Sequence, residues 1–130
     1  MGNNLTINKI LISIIFIAFI FTAIDGILHF LINYLEIKPG ISYFTLSPLS
    51  TYMLGKFITT IIVGIIILFI LSYTNLSKRG VIFYFSIILT IILEIRYFYY
   101  DYTYNWHVIN MIIHFILLYI ISLLILNLED

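Results

Sequence analysis

The sequence predicts an all-α integral membrane protein: an antiparallel four-helix bundle of four transmembrane helices running up-down-up-down. Three observations predict it. The 130 residues are 63% hydrophobic and 9% charged, with mean hydropathy +1.17, where soluble domains carry about 25% charged residues. The apolar residues gather into four runs, each close to the roughly 20 residues that a spanning helix needs. Short polar connectors join the runs, which makes sequence neighbours antiparallel.

The first run predicts a helix over residues 9–35, interrupted in composition but not in length by Asp25 and His29. Residues 36–51 read as a connector, punctuated by Pro39-Gly40 and Ser47-Pro48. Ile41 to Leu49 is amphipathic enough to lie in the membrane interface or to remain a loop. The second span is expected over 52–73 and the third over 81–99, with a tight loop at Thr74 to Gly80 between them. An aromatic segment from Tyr97 to Trp106 reads as an interfacial belt, its rings at headgroup level. Asn105 is the expected N-cap of the fourth span, 106–127. The whole chain, 1–130, forms a single transmembrane domain.

Composition excludes several classes. The formal net charge is zero and no basic patch exists, so nucleic acid is not a partner. There are no cysteines, hence no disulfide, thiolate metal site or cysteine nucleophile. The serines lack a nucleophile-elbow context, and the six glycines are scattered rather than gathered in a phosphate loop. Glutamine is absent and isoleucine abundant, a bias pointing to an AT-rich microbial genome and so to a plasma membrane. Lys9, Lys78 and Arg79 on the terminal side balance Lys38, Lys56 and Arg96 on the other. The dense Lys78-Arg79 pair in a short loop tips the expectation to N-in, C-in.

The informative residues are the polar ones inside the apolar runs. At about 100° per residue, His107, Asn110 and His114 share an arc of about 60° at the start of the fourth span. Asp25, His29 and Glu36 share about 40° on the first, Lys56, Thr59 and Thr60 lie within about 100° on the second, and Ser86, Thr90, Glu94, Tyr97 and Asp101 within about 80° on the third. The ionisable members gather toward the end carrying the 36–51 and 100–105 loops. The other half, including Phe115 to Leu126, reads as nearly pure hydrocarbon. A rise of about 1.5 Å per residue puts His29, Thr59, Glu94 and His114 about 9–14 Å below the interface and Asp25 about 16 Å. Lys56 and His107 fall shallower, and Tyr97, Asp101, Trp106 and His107 form the interfacial rim.

Ionisable groups in lipid mark function by default, and three chemistries fit. Asp25 and His29, spaced i, i+4, with Glu94 and His114 from facing helices, form a candidate metal site. His29 and His114 are candidate axial ligands for a haem. Asp25, His29, Glu94 and His114 also form a candidate proton relay, although a dry opposite half argues against a complete path. The competing structural reading is a hydrogen-bonded network that fixes helix order, pairing Asp25 with Lys56 and Glu94 with Arg96.

The reading these features lead to is a small polytopic membrane protein with an acid–histidine pocket near one membrane face. It is expected to serve as an accessory or binding subunit of a larger membrane complex, contacting the lipid bilayer and other membrane subunits or copies of itself. A metal- or haem-dependent membrane enzyme and a small proton-coupled transporter are the alternatives. No family motif is legible in the chain.

Overall fold

The computed structural model describes residues 5–34, 49–97 and 104–128. Among them run four helices: α1 (Ile7–Tyr34), α2 (Leu49–Ser72), α3 (Lys78–Tyr97) and α4 (Tyr104–Leu128). The connector at 35–48, with its expected interfacial stretch, and the aromatic residues 98–103 lie outside the described residues.

Each helix begins two or three residues before its expected limit. Hydropathy marks where hydrocarbon begins, whereas a helix begins where its first amides find acceptors. The Thr6 hydroxyl accepts from the Lys9 amide at 3.3 Å and its carbonyl from Ile10 at 2.9 Å. Ser77 does the same for α3, accepting from the Gly80 amide at 3.2 Å and, through its carbonyl, from Val81 at 2.9 Å. The loop between α2 and α3 therefore shrinks to residues 73–77. Asn105, the expected cap, instead lies inside the first turn of α4.

The hydroxyls of Ser72 and Thr74 donate to the carbonyls of Phe69 and Leu71, both at 2.6 Å, closing the end of α2. Lys78 donates its ammonium to the Leu126 carbonyl at 3.3 Å. That bond brings the start of α3 to the end of α4, where a cation suits the helix dipole.

The four helices form a ring in which α1 touches α2 and α4, and α3 touches the same two. This is an integral membrane antiparallel four-helix bundle. Helices α1, α2 and α4 contain stretches long and apolar enough to cross a bilayer, Ile7–Leu28, Met53–Ser72 and His107–Leu126, each with mean hydropathy 2.6. Helix α3 is more amphipathic, carrying Lys78, Arg79, Glu94 and Arg96, yet its 20 residues span about 30 Å, the thickness of the hydrocarbon core.

Phe19, Ile27, Ile62, Ile70, Ile91 and Leu124 are among the exposed apolar side chains on the outside. Inside, Ile14, Ile17 and Phe21 meet Leu68, Ile82, Phe85, Leu89 and Leu118, all fully buried. Three helices pack closely at Gly64, where a Cβ would collide with Ile14 and touch Phe85 Cε1 at 3.4 Å.

The half expected to be hydrocarbon is not dry. Ser13 and Ser122 are fully buried there, and Ser86, on the expected polar face of α3, is fully buried as well. Serine is small enough to hide in an apolar run, so helix rotation rather than composition decides whether it faces the core.

Candidate functional site

The polar groups reach the core because they fall on buried stripes with helical spacing. On α2, Lys56, Thr60, Gly64 and Leu68 recur every fourth residue and all are buried. On α4 the stripe is Asn110, His114, Leu118 and Ser122. On α1, Phe21 and Asp25 share one face, and on α3 Thr90 and Glu94 do.

Two clusters result. In the inner one, Lys56 Nζ donates to Asp25 Oδ2, and His114 Nε2 lies 2.9 Å from Asp25 Oδ1. The same His114 Nε2 lies 3.0 Å from Lys56 Nζ. All three side chains are at most 1% exposed. The ring of Phe21 closes the cluster, edge-to-face with His114 at 5.6 Å and 5.6 Å from the ammonium of Lys56.

In the outer cluster, Glu94 Oε2 lies 2.6 Å from His107 Nδ1, and Glu94 Oε1 accepts from Asn110 Nδ2 at 2.9 Å. Helix α4 thus serves both carboxylates, His107 and Asn110 on one and His114 on the other. Seven residues, about 10.5 Å of helix, separate its two imidazoles.

The inner geometry contains a proton ambiguity. An ammonium only donates and a carboxylate only accepts. His114 Nε2 stands within hydrogen-bond distance of both. It can accept from Lys56 as a bare lone pair, or donate to Asp25 as Nε2–H, but one nitrogen cannot do both at once. The contacts therefore suit two proton arrangements separated by one short transfer among Lys56, His114 and Asp25.

The structure brings Asp25, Lys56 and His114 together, and separately Glu94, Asn110 and His107. Thr59 stays half-buried, while Thr60 is fully buried and donates its hydroxyl to the Lys56 carbonyl at 2.7 Å. The side chains of His29, Tyr97 and Trp106, and the whole of Asp101, lie outside the described residues. So does the side chain of Arg96, the expected partner of Glu94.

Of the four candidate metal ligands, the three whose side chains are described, Asp25, Glu94 and His114, do not converge. Asp25 and His114 share one cluster, and Glu94 is held in the other by His107. No group of three or more His, Asp or Glu side chains among the described residues is placed to hold an ion. The ammonium of Lys56 is itself the cation paired with Asp25. For a haem, the space beside His114 is filled by Phe21.

Among the described residues the two clusters are packed rather than open. The described grooves lie on the lipid-facing surface, such as one of about 510 Å³ lined by Phe19, Thr22, Ala23, Met53, Leu54 and Phe57. Asp25, Lys56, Glu94, Asn110 and His114 are buried within this chain.

Sequence reasoning underrated His107, set aside as interfacial, and missed Phe21. Phe21 stands four residues before Asp25 on the same face, so periodicity alone could have found it. Comparison with protein-family models, curated proteins and solved structures finds no match to this chain. The functional reading therefore rests on the site.

Proposed function

We propose that this small membrane protein handles protons, exchanging them between one membrane face and a site in the middle of its bundle. The outer Glu94–His107–Asn110 cluster is the access point, and the inner Asp25–Lys56–His114 cluster is the store. The observation that carries the reading is His114 Nε2, within 3.0 Å of a donor-only ammonium and 2.9 Å of an acceptor-only carboxylate. His107 supports it. Its side chain is 12% exposed where those of His114 and Asp25 are at 0%, so the imidazole ladder on α4 runs from partly open to closed. With Lys78-Arg79 on the cytoplasmic side by the positive-inside rule, the access point faces outward.

Nitrogen-15 NMR of the imidazoles in lipid nanodiscs tests the reading. The expected result is a His114 Nε2 signal averaged between protonated and bare nitrogen between about pH 5 and 8. Solvent exchange of that proton should slow roughly tenfold, or about 1.4 kcal/mol in barrier, in Glu94→Gln. A single fixed tautomer whose exchange is indifferent to Glu94→Gln overturns it and leaves the clusters as static cross-links between helices.

A further inference from the structure

We infer that the bundle carries a second, gated stretch of proton path beyond the ionic clusters, built from buried serines and sealed by the ring of Phe21. The inference extends the proton-handling reading above and rests on it. It makes the chain a closed transmembrane conduit rather than a one-sided store.

Buried serines lie beyond the clusters along each helix, Ser86 beyond Glu94, Ser122 beyond His114 and Ser13 beyond Asp25. Ser86 stands eight residues before Glu94, Ser122 eight after His114 and Ser13 twelve before Asp25. At the helical rise these separations are about 12–18 Å along the axis. All three serines are fully buried. Ser13 and Ser86 directly adjoin Ile14 and Phe85, the two side chains that meet at Gly64, so both belong to one layer.

Their chemistry suits water. Ser86 donates to the Ile82 carbonyl at 2.8 Å, which leaves its oxygen lone pairs available. The Ser122 hydroxyl is buried without a hydrogen-bond partner. Such a group is costly in hydrocarbon unless water or another polar partner reaches it. On α2, Thr60 lies one turn beyond Lys56 and supplies a further buried hydroxyl between the layers.

What separates the layers is apolar. Phe21 lies one turn beyond Asp25 and covers both His114 and Lys56. Leu118, one turn beyond His114, and Leu89 are fully buried in the same apolar core. The ring of Phe21 makes no hydrogen bond, so turning it to another rotamer breaks none. With the ring aside, water can join His114 to Thr60, Ser86 and Ser122. A proton then passes from the imidazole to that water, and Lys56 with Asp25 returns one to His114. Glu94, with His107 and Asn110, reloads the pair from the outer side. No bond other than those to the moving proton changes.

Proton flux into liposomes of zwitterionic phospholipid tests the inference, driven by a potassium diffusion potential and read by a trapped pH dye. The parent protein is expected to be nearly silent. Phe21→Ala should raise the flux at least roughly tenfold. Adding Asp25→Asn or Ser122→Ala to Phe21→Ala should bring it back toward the parent rate. Where Phe21→Ala is not monodisperse, Phe21→Leu carries the same test with a smaller gain.

Parent-like flux in folded Phe21→Ala or Phe21→Leu overturns the inference, as does a flux that neither added substitution reduces. Absent flux with the His114 exchange intact rejects the conduit alone. Loss of that exchange rejects the proton-handling reading beneath it.

Discussion

The two clusters hold a carboxylate in different ways. Glu94 is held by His107 and Asn110, 13 and 16 residues away, across one pair of adjacent helices. Asp25 and its partners are separated by 31, 58 and 89 residues and tie three helices together. The outer cluster includes a half-buried imidazole and a neutral amide, while the inner one includes a lysine and is fully buried. The difference teaches where charge is tolerated in a bilayer. Near a face, one carboxylate is satisfied by local donors and by proximity to water. At depth, it needs a full counter-charge, and the counter-charge must come from elsewhere in the chain.

The sharpest way to break the comparison is to remove one inner partner. Asp25→Ala leaves the ammonium of Lys56 buried beside a neutral wall, and the expected loss of stability is about 3–5 kcal/mol. Unfolding in mixed detergent–SDS micelles measures it. Replacing both charges, as Asp25→Leu with Lys56→Met, should restore stability to within about 1–2 kcal/mol of the parent, because it removes the buried charges together. The same double variant should abolish the averaged His114 signal. Stability without the signal would separate what the cluster does for folding from what it does for protons.

The outer cluster should respond less. His107→Ala removes one of the two described partners of Glu94, and a loss of about 1–3 kcal/mol is expected. A loss equal to that of Asp25→Ala would mean that depth does not set the difference. Asn110→Ala removes a neutral donor to a charged acceptor, for which about 1.5–3 kcal/mol is the upper expectation and the exposed end of the bundle argues for the lower part. Its measurement is the same unfolding curve.

The smallest effect concerns packing beside the inner carboxylate. A Cβ at Gly26 would lie 2.9 Å from Met53 Cε and 3.0 Å from its sulfur. A flexible thioether moves aside readily, so Gly26→Ala should cost less than about 1 kcal/mol. It should leave the His114 signal unchanged. A larger loss would show that the inner cluster depends on close approach of α1 and α2 as well as on charge.

Sequence by itself determined the architecture. Bilayer thickness dictates the length of each apolar run, and the absence of water dictates helix, so four runs with short connectors leave little choice of fold. It also singled out Asp25, Lys56, Glu94, Asn110 and His114, all of them buried, because charge and amide stand out in hydrocarbon. Their pairing was partly legible: Asp25 with Lys56 follows from opposite charge on facing helices.

Tertiary structure decided the rest. Whether Glu94 meets Arg96, an inner metal or His107 depends on the rotation and stagger of α3 against α4, and periodicity fixes neither. Glu94 pairs with His107, so the carboxylates fall into two clusters instead of one layer. Ser13 and Ser122 are ordinary residues in apolar runs until helix rotation turns both inward. Phe21 is one aromatic among many until it lies against His114. Within a helix the relation between residues is set by a fixed turn of about 100°, whereas between helices it is set by side-chain packing along the whole length of the contact.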